Sequence, residues 1–106
     1  MAELEKKYGT YIMQSSGIMT YEELKSKPNF QILEFENALY RGQIVSGVRE
    51  GIGIMIYQSG RIYEGNWLSD RRHGMGYERY ANGNSYKGMF ERGKANGNGM
   101  YIWKNG

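Results

Sequence analysis

Apolar and polar residues alternate in two runs between Ile62 and Gly83. Tyr63, Gly65 and Trp67 share one phase of a period of two, and Gly76, Glu78 and Tyr80 take up the same spacing further on. A period of two puts alternate residues on one face of a strand, so the pattern predicts strand, turn, strand. Leu68 to His73, polar and turn-like, is the expected connection. Asn82-Gly83 supplies the strongest short hairpin signal, because the pair tolerates the positive φ that a tight turn needs.

The unit recurs every 23 residues. Tyr40, Tyr63 and Tyr86 are evenly spaced, as are Gly42, Gly65 and Gly88, and Gly51, Gly74 and Gly97. Gly53, Gly76 and Gly99 keep the register, as do Tyr57, Tyr80 and Trp103, and Gly60, Gly83 and Gly106. Six columns in step over three copies predict three β-hairpins joined by tight turns in residues 40–106. One hairpin cannot bury its apolar face alone, whereas stacked hairpins supply one another's neighbours. The fold class expected is therefore all-β, a single antiparallel meander with a solenoid-like build. Glycine weakens a strand, so columns of it imply a repeated steric demand. Gly65, Gly74 and Gly76 are expected to make room for the rings of Tyr63, Trp67 and Tyr80, and Gly83 to turn the chain.

Residues 1–39 leave this register and are expected to cap the array. Tyr11 falls in the Tyr57 column, but Gln14 stands where the closing glycine belongs, which argues against a fourth copy. Thr20-Tyr21-Glu22-Glu23 reads as a capping box that opens a short helix over about 20–27, and Pro28 bounds it. A strand is expected over about 30–39, with Ile32, Glu34 and Glu36 on one face and Leu33, Phe35 and Asn37 on the other. It should pair with the first hairpin. At the other end the strand near Gly99 to Trp103 is expected to be an open edge, either continued by further repeats or met by a partner.

Composition sharpens this picture. Ten tyrosines against three phenylalanines and two tryptophans mean a core of rings with polar tips. Sixteen glycines come with a single proline and 14% aromatic residues, which is a folded composition and not that of a linker. The absence of cysteine excludes disulfides and thiolate metal sites. MAELEKKYG lacks an apolar signal core, and no apolar run approaches the roughly 20 residues of a membrane span. Charge is uneven: residues 1–39 carry four lysines and six glutamates, and residues 40–106 carry ten basic and five acidic residues.

Little in the chain suggests catalysis. The Gly-x-Gly pairs lack the third glycine of a dinucleotide fingerprint, with Ile56, Arg79 and Ile102 at that position. His73 is the one histidine and reads as a turn residue. No carboxylate pair and no activated hydroxyl is evident, and no cofactor is expected. Arg49, Arg71, Arg72, Arg92 and Lys94 fall at similar columns near the hairpin turns, where they could meet anionic lipid headgroups. The aromatics lie in core columns, so nucleic acid is not an expected partner.

The pattern Tyr63-Glu64-Gly65-x-Trp67, then Arg72-His73-Gly74-x-Gly76, Tyr80 and Asn82-Gly83 resembles the MORN repeat (membrane occupation and recognition nexus) family. The resemblance covers residues 40–106. Ile44 and Phe90 stand where the family carries Trp, and Asp70 replaces the turn glycine seen at Gly47 and Gly93. It implies a non-catalytic protein-protein interaction scaffold in a cytoskeletal, ciliary or axonemal assembly, and so a cytoplasmic protein. The partner would be a protein, such as a helical segment or further repeats, held in an aromatic groove or against the core beneath it. Tyr40, Tyr57, Tyr63, Trp67, Tyr80, Tyr86, Phe90, Tyr101 and Trp103 are the candidate rings. Two alternatives remain: a peripheral membrane or phosphoinositide-binding module using the basic residues, and a regulatory appendage of an enzyme such as a lipid kinase.

Overall fold

The computed structural model describes residues 20–104. Tyr11, Gly106 and the first half of the expected cap lie outside them. Helix α1 (Tyr21–Lys25) is followed by strands β1 (Phe30–Phe35), β2 (Ala38–Val45), β3 (Val48–Tyr57), β4 (Ile62–Leu68), β5 (Arg71–Arg79), β6 (Ser85–Glu91) and β7 (Lys94–Ile102). The strands form one antiparallel sheet in chain order. Each 23-residue unit is one hairpin: β2–β3, β4–β5 and β6–β7.

The connections inside the hairpins are tighter than the polarity suggests. Ser46-Gly47, Ser69-Asp70 and Arg92-Gly93 each adopt positive φ at both positions, the backbone of a two-residue type I′ turn. Arg71 and Arg72 are therefore not turn residues. They pair with Leu68 and Trp67 as the opening of β5, and His73 follows them in the strand. The expected strand over 30–39 is likewise two strands, divided by a turn at Glu36-Asn37. Asparagine tolerates turn backbone, and the alternation of Phe30 to Leu39 hid the break.

Helix α1 is five residues long, too short to persist alone, and two features hold it. Thr20 Oγ1 accepts from the Glu23 backbone N–H at 3.1 Å, while the Glu23 carboxylate accepts from the Thr20 backbone N–H at 3.1 Å. The buried Leu24 then packs with Ile54, Ile56 and Ile62 on one face of the sheet, beside Tyr21 and Phe30, whose rings meet edge to face.

The opposite face holds the aromatic core. Tyr40, Tyr63 and Tyr86 lie over a row of glycines that crosses six strands, in which Gly42, Gly53, Gly65, Gly76, Gly88 and Gly99 oppose one another in turn. A methyl group on Gly76 would lie 2.5 Å from the Tyr63 hydroxyl, and one on Gly99 would lie 2.6 Å from that of Tyr86. The steric demand implied by the glycine columns is thus the room beneath a tyrosine ring. Each hydroxyl then donates three residues along its own chain, to the carbonyls of Gln43, Asn66 and Met89 at 2.9, 2.8 and 3.0 Å.

Those carbonyls lie where each hairpin loses register, between Gly42 and Ile44, Gly65 and Trp67, and Gly88 and Phe90. Gly74 belongs to this irregularity and makes no room for a ring. Its φ is +80°, and an added Cβ would meet no atom nearer than Asn66 Cβ at 3.5 Å. Left-handed backbone is its reason for being glycine.

Candidate interaction surface

The nine candidate aromatics fall into two sets. Tyr40, Tyr63, Trp67, Tyr86 and Phe90 form the buried core together with Ala38, Ile44 and Met55. Trp67 stands edge-on between Tyr40 and Tyr63, at 5.5 and 5.2 Å between ring centroids, and Phe90 stands likewise between Tyr63 and Tyr86, at 5.0 and 5.3 Å. Edge-to-face contacts let the positive ring edge meet the negative ring face. Trp67 also donates from Nε1 to the Gly53 carbonyl at 3.2 Å. These five rings hold hairpins together and offer nothing to an open groove.

The other four reach solvent. Tyr57 and Tyr80 are partly buried against the core, whereas Tyr101 is 50% exposed and Trp103 62%. Tyr80 and Tyr101 stack at 5.8 Å with 12° between their planes, and Trp103 lies 5.3 Å from Tyr101. The ladder of rings that is sealed in the middle of the sheet therefore surfaces beside β7. Beside Tyr57, an open hollow of about 410 Å³ is bounded by Asn37, Gln58 and Ser59. Burial pushes the Tyr40, Tyr63 and Tyr80 hydroxyls well above the ordinary tyrosine range, and at Tyr80 the bond with Tyr101 adds to it.

The five basic candidates also separate. Arg49 and Arg72 are committed within the fold. Arg49 Nε lies 2.6 Å from Asp70 Oδ1, its Nη2 donates to the Asp70 carbonyl at 2.9 Å, and its guanidinium covers Trp67. Arg72 donates from Nη1 to Glu78 Oε2 at 2.5 Å and from Nη2 to the Gly93 carbonyl at 2.6 Å, over the rings of Tyr63 and Phe90. Each arginine thus ties its hairpin to the turn of the next. Backbone bonds repeat the tie, from Asp70 N–H to the Arg49 carbonyl and from Gly93 N–H to the Arg72 carbonyl, both at 3.0 Å. Glu78, nearly buried, also forms an ion pair with Arg61, whose Nε lies 2.9 Å from Oε2. Arg71, Arg92 and Lys94 remain exposed. Sequence reasoning missed Glu78 and Arg61. A carboxylate at Glu78, in the column shared with Met55 and Tyr101, was the signal available.

The Asp70 tie has a pH signature. Hydrogen bonding to the Arg49 side chain holds the Asp70 carboxyl below the usual carboxylate range. A depressed folded pKa stabilises above the unfolded value of about 3.9, and the contribution is lost as pH falls through the folded value. Asp70→Asn keeps a residue that tolerates left-handed backbone but removes the charge. Denaturant midpoints across the acid range are expected to fall less steeply in Asp70→Asn than in the parent. Parallel acid limbs would show that the pair contributes nothing to folding.

The MORN repeat model matches the chain three times, at residues 40–60, 63–85 and 86–106. No curated protein matches it. Repeats of this kind bind proteins or membranes and are not catalytic modules. Each match coincides with one of the three hairpins, and together they span more than half of the sequence: the chain belongs to the MORN repeat family.

Proposed function

We propose that this protein is a non-catalytic scaffold that binds a protein partner through the exposed end of its aromatic ladder. One observation carries the reading: Tyr101 and Trp103 continue the buried ladder but stand 50% and 62% exposed. Large rigid rings at the surface bring much contact area at little entropic cost, and Tyr and Trp recur among the residues that dominate interfaces. The setting we propose is cytoplasmic, in a cytoskeletal or ciliary assembly, where stiff sheets spanned by ring contacts and arginine ties serve a structural role.

Benzoylphenylalanine in place of Trp103 tests this reading by light-driven cross-linking in cells. A discrete protein adduct is expected that disappears when Tyr101→Ala is added, and it should partition with the detergent-insoluble cytoskeleton. The same probe at the exposed Leu68 is the control. No adduct from position 103, or the same pattern from position 68, would refute the scaffold reading.

A membrane reading is favoured by a different observation, the exposed cluster of Arg71, Arg92 and Lys94 near the hairpin turns. Each cation contributes about 1 kcal/mol near an anionic bilayer. Under the scaffold reading, Arg71→Glu with Arg92→Glu leaves the cross-linked adduct intact and changes sedimentation with phosphatidylserine vesicles little. Charge-dependent sedimentation together with loss of the adduct would favour the membrane instead. Arg49 and Arg72 are unsuitable probes, because reversing them breaks the ties between hairpins.

A further inference from the structure

We infer that the exposed face of β5 and β6 carries a site for monovalent copper, made by the His73 imidazole and the Met75 and Met89 thioethers. It stands apart from the scaffold reading, since none of these side chains belongs to the ring ladder.

The sheet register brings the three together. Gly74 pairs with Phe90 and Met75 with Met89. One residue further along each strand, His73 and Glu91 come next, and beyond them the Gly93 N–H still reaches the Arg72 carbonyl at 3.0 Å. Phe90 lies in the ring core, and a methyl group on Gly76 would strike Tyr63. Alternation therefore turns His73, Met75, Met89 and Glu91 to the opposite face. Exposure agrees: Arg71, His73 and Met75 stand open, with Arg72 and Gly74 half-buried between them. Directly opposed residues have Cβ atoms about 4.5–5.5 Å apart, and residues two along a strand about 7 Å. A methionine side chain has three rotatable bonds, which lets both sulfurs close on one ion beside the imidazole.

The repeat supplies its own comparison. The same four columns in the preceding copy hold Glu50, Ile52, Asn66 and Leu68, with Ile52 opposite Asn66. No donor set for a soft ion arises there. Met75 is 45% exposed and Met89 half-buried, although methionine is among the residues most often found inside. Met55 follows that rule, buried in the ring core on the other face. Two thioethers opposed on the open side have no such reason for their place.

The donors indicate the ion. Thioethers are neutral and soft and select copper(I), and imidazole suits copper as well. The chain has no cysteine, so no thiolate within it competes. Among the described residues no three of histidine, cysteine, aspartate and glutamate gather for a harder ion such as zinc. Arg71 shares the exposed side of β5, and Lys94 opposes Glu91. Repulsion from these cations grows with the charge of the ion, which favours a monovalent ion over a divalent one. Glu91 offsets part of it and, beside His73, is a carboxylate of the kind that accepts the free N–H of a metal-bound imidazole.

Silver(I), a soft ion of the same charge without the redox chemistry, tests the site on the whole chain, isotope-labelled at its methionine methyls. One equivalent is expected to move the Met75 and Met89 methyl resonances and the His73 ring signals. Those of Met55 and Met100 should stay in place. Copper(I), kept reduced with ascorbate under nitrogen, is expected to move the same resonances, and zinc(II) to move neither methyl. Glu91→Gln, one step removed from the ion, is expected to weaken silver binding by about tenfold, and Met75→Leu, Met89→Leu or His73→Gln by more. The two leucine variants keep the bulk of the side chain, and Met100→Leu is the control that should bind as the parent does. Met75 and Met89 methyls unmoved in excess silver, an equal loss of binding in Met100→Leu, or zinc(II) moving these methyls as readily would each overturn the inference.

Discussion

Gly76→Ala should destabilise the protein by about 3 kcal/mol, because a methyl group enters a filled site in the aromatic core. The new carbon would lie 2.5 Å from the Tyr63 hydroxyl, 2.6 Å from ring Cε1 and 2.8 Å from Cζ. The ring cannot yield easily. Trp67 and Phe90 flank it at 5.2 and 5.0 Å, and its hydroxyl is bonded to the Asn66 carbonyl at 2.8 Å. Gly76 has no positive φ to preserve, so the cost is steric and not conformational. Gly47→Ala provides the contrast: nothing lies within 4 Å of its added carbon, and only its φ of +81° opposes the change, at about 1 kcal/mol. Denaturant unfolding of both variants measures the difference. Tyr63→Leu in the Gly76→Ala background should cost less than the two single changes summed, since contacting sites are not additive. Equal costs for Gly76→Ala and Gly47→Ala would show that the glycine row answers to backbone conformation alone.

The second large effect is expected at Trp67. Removing a buried tryptophan to alanine costs about 3–5 kcal/mol, and here it also separates two repeats. Trp67 bridges Tyr40 of the first copy and Tyr63 of the second, carries the Arg49 guanidinium 4.6 Å above its ring, and satisfies the Gly53 carbonyl. Trp67→Ala therefore uncouples the first hairpin from the rest. Hydrogen exchange should show β2 and β3 losing protection ahead of β5 and β6, where Phe90 still joins Tyr63 to Tyr86. Trp67→Phe keeps most of the ring contact and loses the bond to Gly53, for about 1 kcal/mol. Trp103→Ala, on an exposed ring, should leave the denaturant midpoint nearly unchanged. A Trp67→Ala protein as stable as Trp103→Ala would rule out the ring ladder as the core.

These two expectations show why function divides the aromatic columns unevenly. A ring between two hairpins is structural, and a ring with a hairpin on one side alone is the kind we propose a partner covers. Tyr57, Tyr80 and Trp103 share a column and are chemically alike, yet the third stands far more open, since among the described residues β7 pairs with β6 alone.

The sequence by itself determined the number of repeat hairpins, their order, the face carrying the rings and, Gly74 apart, the glycines those rings require. All of these are local or strictly periodic, and a period of 23 repeats the same local instruction three times. The capping box at Thr20 was equally legible, since its partners are three residues apart. Only the tertiary structure decided which rings are covered and which cations are spent. Arg49 and Asp70 are 21 residues apart, as are Arg72 and Gly93, and they meet because adjacent hairpins bring one turn beside the next. Polarity made Leu68 to His73 read as a loop, but charged residues pair in a strand as readily as apolar ones when their side chains find partners across it. Glu78 finds Arg72 and Arg61 there. Burial and ion pairing are properties of neighbours in space, and the alternation along one strand does not name the strand beside it.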